Sequence, residues 1–309
     1  MTKISVVATL YNSAAYVDEF MQRMRAELGR FTDDYEIVLV DDGSPDGSLA
    51  VAGEWLAREP RLRIVELSRN FGHHKAMMTG LAHARGDLVF LIDSDLEEPP
   101  ELLSRFLAEM KAEDVDVVYG VQSSRKGGVV ERVGGQLAWR FLDAMLPVRI
   151  PKDHSTVRLM TRDYVSALVE HREQKTAIGG LWVMTGFAQR GVEFDKGSRG
   201  SSSYNLGHRL VALLDSVTSF SERPLFLIFY IGCATLVTSV VAGIVVLVLS
   251  LRGSVLAGWP STIVSIWFFG GLIIFSIGVV GLYVSRIFIE TKGRPYTVVR
   301  RVHGAEDGP

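Results

Sequence analysis

Residues 87–100 read DLVFLIDSDLEEPP. Asp87–Ile92 is a short apolar run with the length and composition of a buried strand. Directly behind it, Asp93, Asp95, Glu97 and Glu98 fall within six positions. Like charges at that spacing repel one another, so the cluster needs a compensating partner. Its place at the end of a strand suggests where to look.

Moving outward, short apolar runs alternate with helical patterns. Strands are expected at Ile4–Thr9, Glu36–Val40, Arg63–Leu67, Asp87–Ile92 and Val115–Tyr119, and helices at Val17–Leu28, Ser48–Ala57, Lys75–Ala84 and Glu101–Lys111. This alternation predicts an α/β, Rossmann-like domain with a mostly parallel sheet and helices on both faces. Each strand is followed by polar residues: Tyr11-Asn12, Asp41-Asp42-Gly43-Ser44, Arg69-Asn70, Asp93-Ser94-Asp95, and Gln122 to Arg125. Open α/β sheets bind ligands at the carboxyl ends of their strands. The acidic cluster therefore crowds an expected ligand crevice.

Aspartates two apart offer oxygen ligands to a hard divalent ion, Mg²⁺ or Mn²⁺, and such ions bridge to substrate phosphates. A lone D-x-D is a weak signal that also fits a solvated turn. A second acidic pair, Asp41-Asp42, on the same crevice edge strengthens the metal reading. Carboxylates also accept from ribose hydroxyls and base N–H groups. Together these point to a nucleotide-diphosphate ligand. His73-His74 lacks a third spaced ligand and reads as a helix start near that ligand, not as a metal site.

The 309-residue chain has net charge −2 and pI 6.4, which excludes a nucleic-acid partner. It is 48% hydrophobic with mean hydropathy +0.21, and the apolar excess is local. Leu225–Leu251 and Ser261–Ser285 contain no charge. Each exceeds the ~20 residues that cross a bilayer as a helix. The intervening RGSVLAGWP carries only Arg252, whereas Arg286, Lys292, Arg294, Arg300 and Arg301 follow the second run. The positive-inside rule then puts both chain ends in the cytoplasm and the short loop outside. Ile4–Leu10 is too short for a secretory leader. The lone Cys233 sits in the first run, so disulfides play no part.

Residues 122–162 hold eight basic residues and three acids. This is either a solvated face or a patch for anionic lipid headgroups, and the second makes a lipid-borne phosphate a natural co-substrate. Glu131–Met145 and Tyr204–Phe220 have amphipathic spacing that suits the bilayer interface or a protein core equally. KGSRGSSS (196–203), with Tyr204, is either a lid over a bound sugar or a plain linker. The expected division is 1–203 catalytic domain, 204–224 amphipathic segment, 225–290 helical hairpin and 291–309 cytoplasmic tail.

SVVATLYN (5–12), EIVLVDDGSPDGS (36–48), LSRNFGHHKAMMTGL (67–81), LIDSDLEEPPELL (91–103) and GLYVSRIFIETKGRPY (281–296) resemble family 2 glycosyltransferases of the GT-A fold. The C-terminal hairpin narrows the likeness to polyprenyl-phosphate glycosyltransferases, the type that includes dolichol-phosphate mannose synthase and the undecaprenyl-phosphate sugar transferases. The resemblance implies a multi-pass inner-membrane enzyme with a cytoplasmic catalytic domain, a nucleotide-sugar donor and a polyprenyl phosphate acceptor. A homo-oligomer is compatible with it. It makes Thr9, Tyr11, Asn12, Asp41 and Asp42 donor contacts. Asp93, Asp95 and Glu97 become the metal site, and Asp93 and Asp95 with Asp153 the catalytic acids. Glu98 is expected in solvent or at the next helix start. Thr9 and Ser13 stand where relatives carry Pro and Glu. Gly120-Val121-Gln122 stands where they carry G-x-R, which shifts the acceptor-phosphate role to Arg125, Arg132 and Arg158. Thr156 replaces an aspartate sometimes proposed as catalytic. Two other readings of the same motifs are a D-x-D phosphatase and a non-catalytic membrane adaptor.

Overall fold

The computed structural model describes residues 2–122, 151, 154–174, 178–195, 223–252 and 259–304. Arg125, Arg132, Asp153, the expected helix Glu131–Met145, the loop 196–203 and the expected helix Tyr204–Phe220 lie outside the described residues.

The sheet is built on β1 (Ile4–Leu10) and β2 (Tyr35–Asp41), in which every residue is buried. Strands covered on both faces need no polar alternation, which is why they read as continuous apolar runs. Around them lie β3 (Leu62–Leu67), β4 (Leu88–Leu91), β5 (Val117–Gln122), β6 (His154–Thr161), β7 (Gln189–Phe194) and β8 (Val299–His303), in the order β7-β5-β6-β4-β1-β2-β3-β8. β6 and β8 run opposite to the other six.

The helices of this unit are α1 (Val17–Leu28), α2 (Ser48–Trp55), α3 (His73–His83), α4 (Leu102–Glu113), α5 (Arg162–Val169) and α6 (Ile178–Met184). α1 buries Val17, Phe20, Met21, Met24 and Leu28, a stripe at helical spacing. Asp18 and Glu19 in its first turn and Arg25 in its last suit the helix dipole. α3 lies tightly on the sheet: a Cβ at Gly80 would meet Val7 Cγ1 at 2.5 Å and Val40 Cγ2 at 2.9 Å.

Two features depart from the expected alternation. β6 inserts antiparallel between β4 and β5. The segment expected as a cytoplasmic tail, for which no strand was expected, returns to the sheet, where β8 pairs with β3. The sheet-bearing unit therefore includes the chain from Arg294 onward.

A second unit contains α7 (Arg223–Leu251, 29 residues) and α8 (Trp259–Thr291, 33 residues). Within α8, Phe268–Thr291 is long and apolar enough to cross a bilayer, and none of it is buried. Large apolar side chains such as Ile274 and Phe229 stand exposed on these helices.

Candidate active site

Because β4, β1, β2 and β3 are neighbours, their carboxyl ends meet on one edge. Register places Leu10 beside Asp41 and Val7 beside Leu91. Tyr11-Asn12, Asp41-Asp42, Arg69-Asn70 and Asp93–Asp95 thus assemble from four separate stretches of sequence. The close approach of two of these loops requires glycine. At Gly43, with φ +62°, a Cβ would fall 2.6 Å from the backbone of Arg69 and Asn70.

The β2 end is held by many hydrogen bonds. Asp42 is 2% exposed. Its carboxylate accepts from the amides of Phe71 (2.7 Å) and Gly72 (3.0 Å), and its own amide donates to Leu10 O at 3.1 Å. Burial raises its pKa against the lowering effect of those amides. Asp41 accepts from Ser44 N at 3.4 Å. Burial, with Glu66 and Asp42 nearby, pushes its pKa up to about 6. Asp46, unremarked in the sequence, ties the surrounding turn together. Its carboxylate accepts from the Ser44 hydroxyl (2.6 Å), the Ser48 hydroxyl (2.5 Å) and the amides of Ala14 and Ser48 (both 3.0 Å). Desolvation opposes these bonds, but they hold its pKa well below the carboxylate range. The available signal was an Asp two residues ahead of a Ser at a helix start. Asn12 adopts φ 53° and donates its amide to Ser44 Oγ at 2.9 Å. Tyr11 is 47% exposed at the rim.

At the β4 end, Asp93 Oδ1 lies 3.3 Å from His73 Nε2, and His73 Nδ1 lies 3.2 Å from Thr9 Oγ1. His73 therefore bridges the first aspartate of the D-x-D to β1, and it does open α3, as the sequence suggested. Ser94 turns inward and donates to Thr9 O at 2.7 Å. Asp95 Oδ1 accepts from Glu97 N at 3.1 Å. Among the described residues no three His, Cys, Asp or Glu side chains converge on a metal position. Asp93 and Asp95 nonetheless fit a hard divalent ion, which commonly takes one or two protein carboxylates and fills the rest of its shell with substrate phosphates and water.

Two residues are placed differently from expectation. Glu98 is fully buried, well inside the fold and ahead of the first turn of α4. It accepts from the Ser155 hydroxyl and, at 3.4 Å, from Val157 N. This ties the acidic loop to β6, so Glu98 faces neither solvent nor a helix dipole. Arg158 is 1% exposed, with its guanidinium 3.1 Å from the ring centroid of Trp182 and donating to the carbonyls of Thr156 and Ser155. Burial lowers its pKa to about 9, so it remains a cation at neutral pH. A side chain enclosed in this way does not suit an acceptor-phosphate contact. Of the three arginines expected there, Arg125 and Arg132 lie outside the described residues.

The chain is similar to known proteins over most of its length. The profile described as "Glycosyl transferase family 2" matches residues 5–169. A Mycobacterium tuberculosis protein named only as a glycosyltransferase is 48% identical over 98% of this chain and 89% of its own. The "Prophage bactoprenol glucosyl transferase homolog" of Escherichia coli K12 is 30% identical over 97% of this chain and 99% of its own. Among solved structures, mannosyl-3-phosphoglycerate synthase from Rubrobacter xylanophilus superposes with a TM-score of 0.49 and 19% identity, covering 71% of this chain and 73% of its own.

Proposed function

Because the chain belongs to glycosyltransferase family 2, we propose that it moves a sugar from a nucleoside-diphosphate donor to a polyprenyl phosphate at a membrane, for the assembly or modification of cell-envelope glycans. One observation carries this reading. The acidic edge built by β1, β2 and β4 belongs to a chain that resembles a bactoprenol glucosyl transferase homologue over nearly its whole length, apolar helices included.

In this reading the nucleoside lies against Thr9, Tyr11, Asn12, Asp41 and Asp42. The exposed Tyr11 ring offers a stacking face, and the buried carboxylates accept from ribose or base. Asp93 and Asp95, with Glu97 beside them, would hold a divalent ion, which when bound neutralises charge on the departing diphosphate. The acceptor oxygen forms a bond to the anomeric carbon as the bond to the nucleoside diphosphate breaks on the opposite face, which inverts the configuration. A phosphate monoester with a second pKa of about 6 is already anionic near neutrality, so the protein's task is positioning and no general base is required. Arg125 and Arg132 are the acceptor-phosphate candidates. Arg158 serves instead as a buried structural cation.

The membrane part of the proposal rests on connectivity. The chain leaves the sheet unit before α7 and rejoins it at Arg294, so the segment between must start and finish on one side. With the basic residues clustered after α8, this supports a cytoplasmic catalytic unit and a two-helix hairpin in the inner membrane. Ser254→Cys should react with an impermeant thiol reagent added to intact cells, and labelling only after lysis would refute the hairpin.

A panel of UDP-, GDP- and dTDP-sugars with undecaprenyl phosphate in detergent tests the reaction. One donor should yield a lipid-linked sugar, β-linked when the donor is α. Free sugar alone, or α-linked product from an α-donor, would overturn the reading.

A further inference from the structure

Only Lys292 and Gly293 separate the last residue of α8 from Arg294. From there the chain runs against the donor edge. The Arg294 carbonyl accepts from Gln174 Nε2 at 2.7 Å. Gln174 Oε1 in turn accepts from Lys75 Nζ at 3.0 Å, and that ammonium sits 5.0 Å from the Tyr296 ring centroid. Thr297 Oγ1 is 2.8 Å from Thr79 Oγ1. The Val298 carbonyl accepts from Ser68 N at 2.9 Å. β8 then pairs with β3, where Glu66 contacts His303 at 2.9 Å and Arg300 at 3.3 Å.

These contacts fall at two places on either side of one short stretch. Ser68 is held at the end of β3, and Lys75 and Thr79 are held one turn apart on α3. Between them lie the Phe71 and Gly72 amides that hold Asp42, and His73, which touches Thr9 and Asp93. One aspartate of each acidic pair, Asp42 and Asp93, is therefore supported by a loop fixed at its two ends by the chain leaving α8. Gln174 itself touches none of the site residues in these contacts; it joins the return segment to α3.

We propose that residues 294–298, with Gln174 as the link, form a positioning bracket that holds the loop 69–74 in its donor-binding shape. The bracket makes the return segment a working part of the donor edge, and the membrane hairpin an insertion within the catalytic unit. Its functional half rests on the donor reading given above; its structural half does not. Six residues held at both ends have few conformations available, and releasing one end restores the freedom that ligand binding must then remove.

The test uses the full chain in detergent with two readouts. The first is amide exchange of a peptide covering 68–75, with peptides from β1 and β2 as internal controls. The second is the split between KM and kcat for UDP-glucose, the probe donor, with undecaprenyl phosphate as acceptor. Gln174→Ala and Thr297→Val should each speed exchange in 68–75 by about 3- to 10-fold, the size of one lost hydrogen bond. β1 and β2 should be unchanged, KM should rise by a similar factor, and kcat should stay within about twofold. Thr297→Ser keeps the hydroxyl and should behave like the unaltered protein. Unchanged exchange in 68–75 for both Gln174→Ala and Thr297→Val would overturn the bracket, and so would acceleration spread equally over β1 and β2. If the unaltered protein uses no donor at all, the donor reading fails while the exchange result still decides the bracket.

Discussion

The two acidic pairs of the site sit on neighbouring parts of one sheet edge but are built differently. At the β2 end, Asp41 and Asp42 are buried, and the Asp42 carboxylate is satisfied by two backbone amides in the protein alone. At the β4 end, the Asp93 side chain keeps 20% exposure and no third acidic or histidine group converges on it among the described residues. The β2 end is finished by folding. The β4 end is the more exposed of the two, and it is the end to which the proposed reading assigns the metal and the diphosphate. Loss of a β4 aspartate should therefore cost turnover alone, whereas loss of a β2 aspartate should also change stability.

The largest effect follows from the more exposed end. Asp95→Asn should lower turnover by about 10³-fold or more, the scale of removing metal-assisted charge stabilisation, with the melting temperature nearly unchanged. Chelation by EDTA should do the same to the unaltered protein, and Mg²⁺ or Mn²⁺ should restore it. Full turnover in chelator would remove the metal from the reading. A steep loss of stability in Asp95→Asn would erase the distinction between the two ends.

Asp42→Ala should come next. It strips the acceptor from Phe71 N and Gly72 N, at about 1–3 kcal/mol for a buried donor left unsatisfied. For a chain of this size that lowers the melting temperature by several degrees, at roughly 2–4 °C per kcal/mol. Donor binding should weaken in parallel. Calorimetry and donor titration on one preparation separate this profile from that of Asp95→Asn, and a variant that lost donor binding with full stability would show that the β2 end is not load-sharing.

The core of this edge was legible from sequence because strand ends are local features. Apolar runs such as Ile4–Leu10 and Tyr35–Asp41 announce where polar residues will gather, and the parallel order brings those ends together. Two things were not legible, each because it depends on distant pairing. His154–Thr161 is not among the expected strands, yet it is a strand wedged between β4 and β5. That wedge buries Arg158 against Trp182 and brings Ser155 to Glu98. The return of Val299–His303 to β3 spans more than 230 residues of sequence, with no local pattern beyond a short β-branched run. The Asp46 web was legible in principle, since Asp-Gly-Ser ahead of a helix is a known turn chemistry.

The third prediction uses pH to probe the closed end. The pKa of Asp41 is raised from 3.8 to about 6, chiefly by burial. A folded-state pKa above the unfolded one means the fold binds the proton more tightly. The resulting stability is fully present below about pH 4 and is lost as pH rises through about 6. Above that, the buried charge costs up to about 3 kcal/mol. Asp41→Asn should therefore melt higher than the unaltered protein at pH 7.5, by an amount that shrinks to nothing near pH 4, while binding donor less well. A constant difference across that range would mean that Asp41 ionisation carries no such cost.

The smallest effect should come from the residue that joins the two ends. Ser94, the central residue of the D-x-D, is 2% exposed and bonds to Thr9 O at 2.7 Å and Ser13 Oγ at 3.1 Å. Its side chain fixes the β4 loop to β1, next to the residues that abut the β2 turn, and does so from inside the fold. Ser94→Ala removes about 0.5–1.5 kcal/mol of net hydrogen bonding without touching either carboxylate. If the β4 end is only lightly set before ligand arrives, that loss should fall on metal binding, raising the half-saturating Mg²⁺ concentration by about 2- to 10-fold. At saturating metal the donor KM should return to the unaltered value, because the amides on Asp42 are intact. If instead Ser94→Ala raised the donor KM at saturating metal and left the metal requirement alone, the two ends would be one mechanical unit, and the contrast between them would reflect only their exposure.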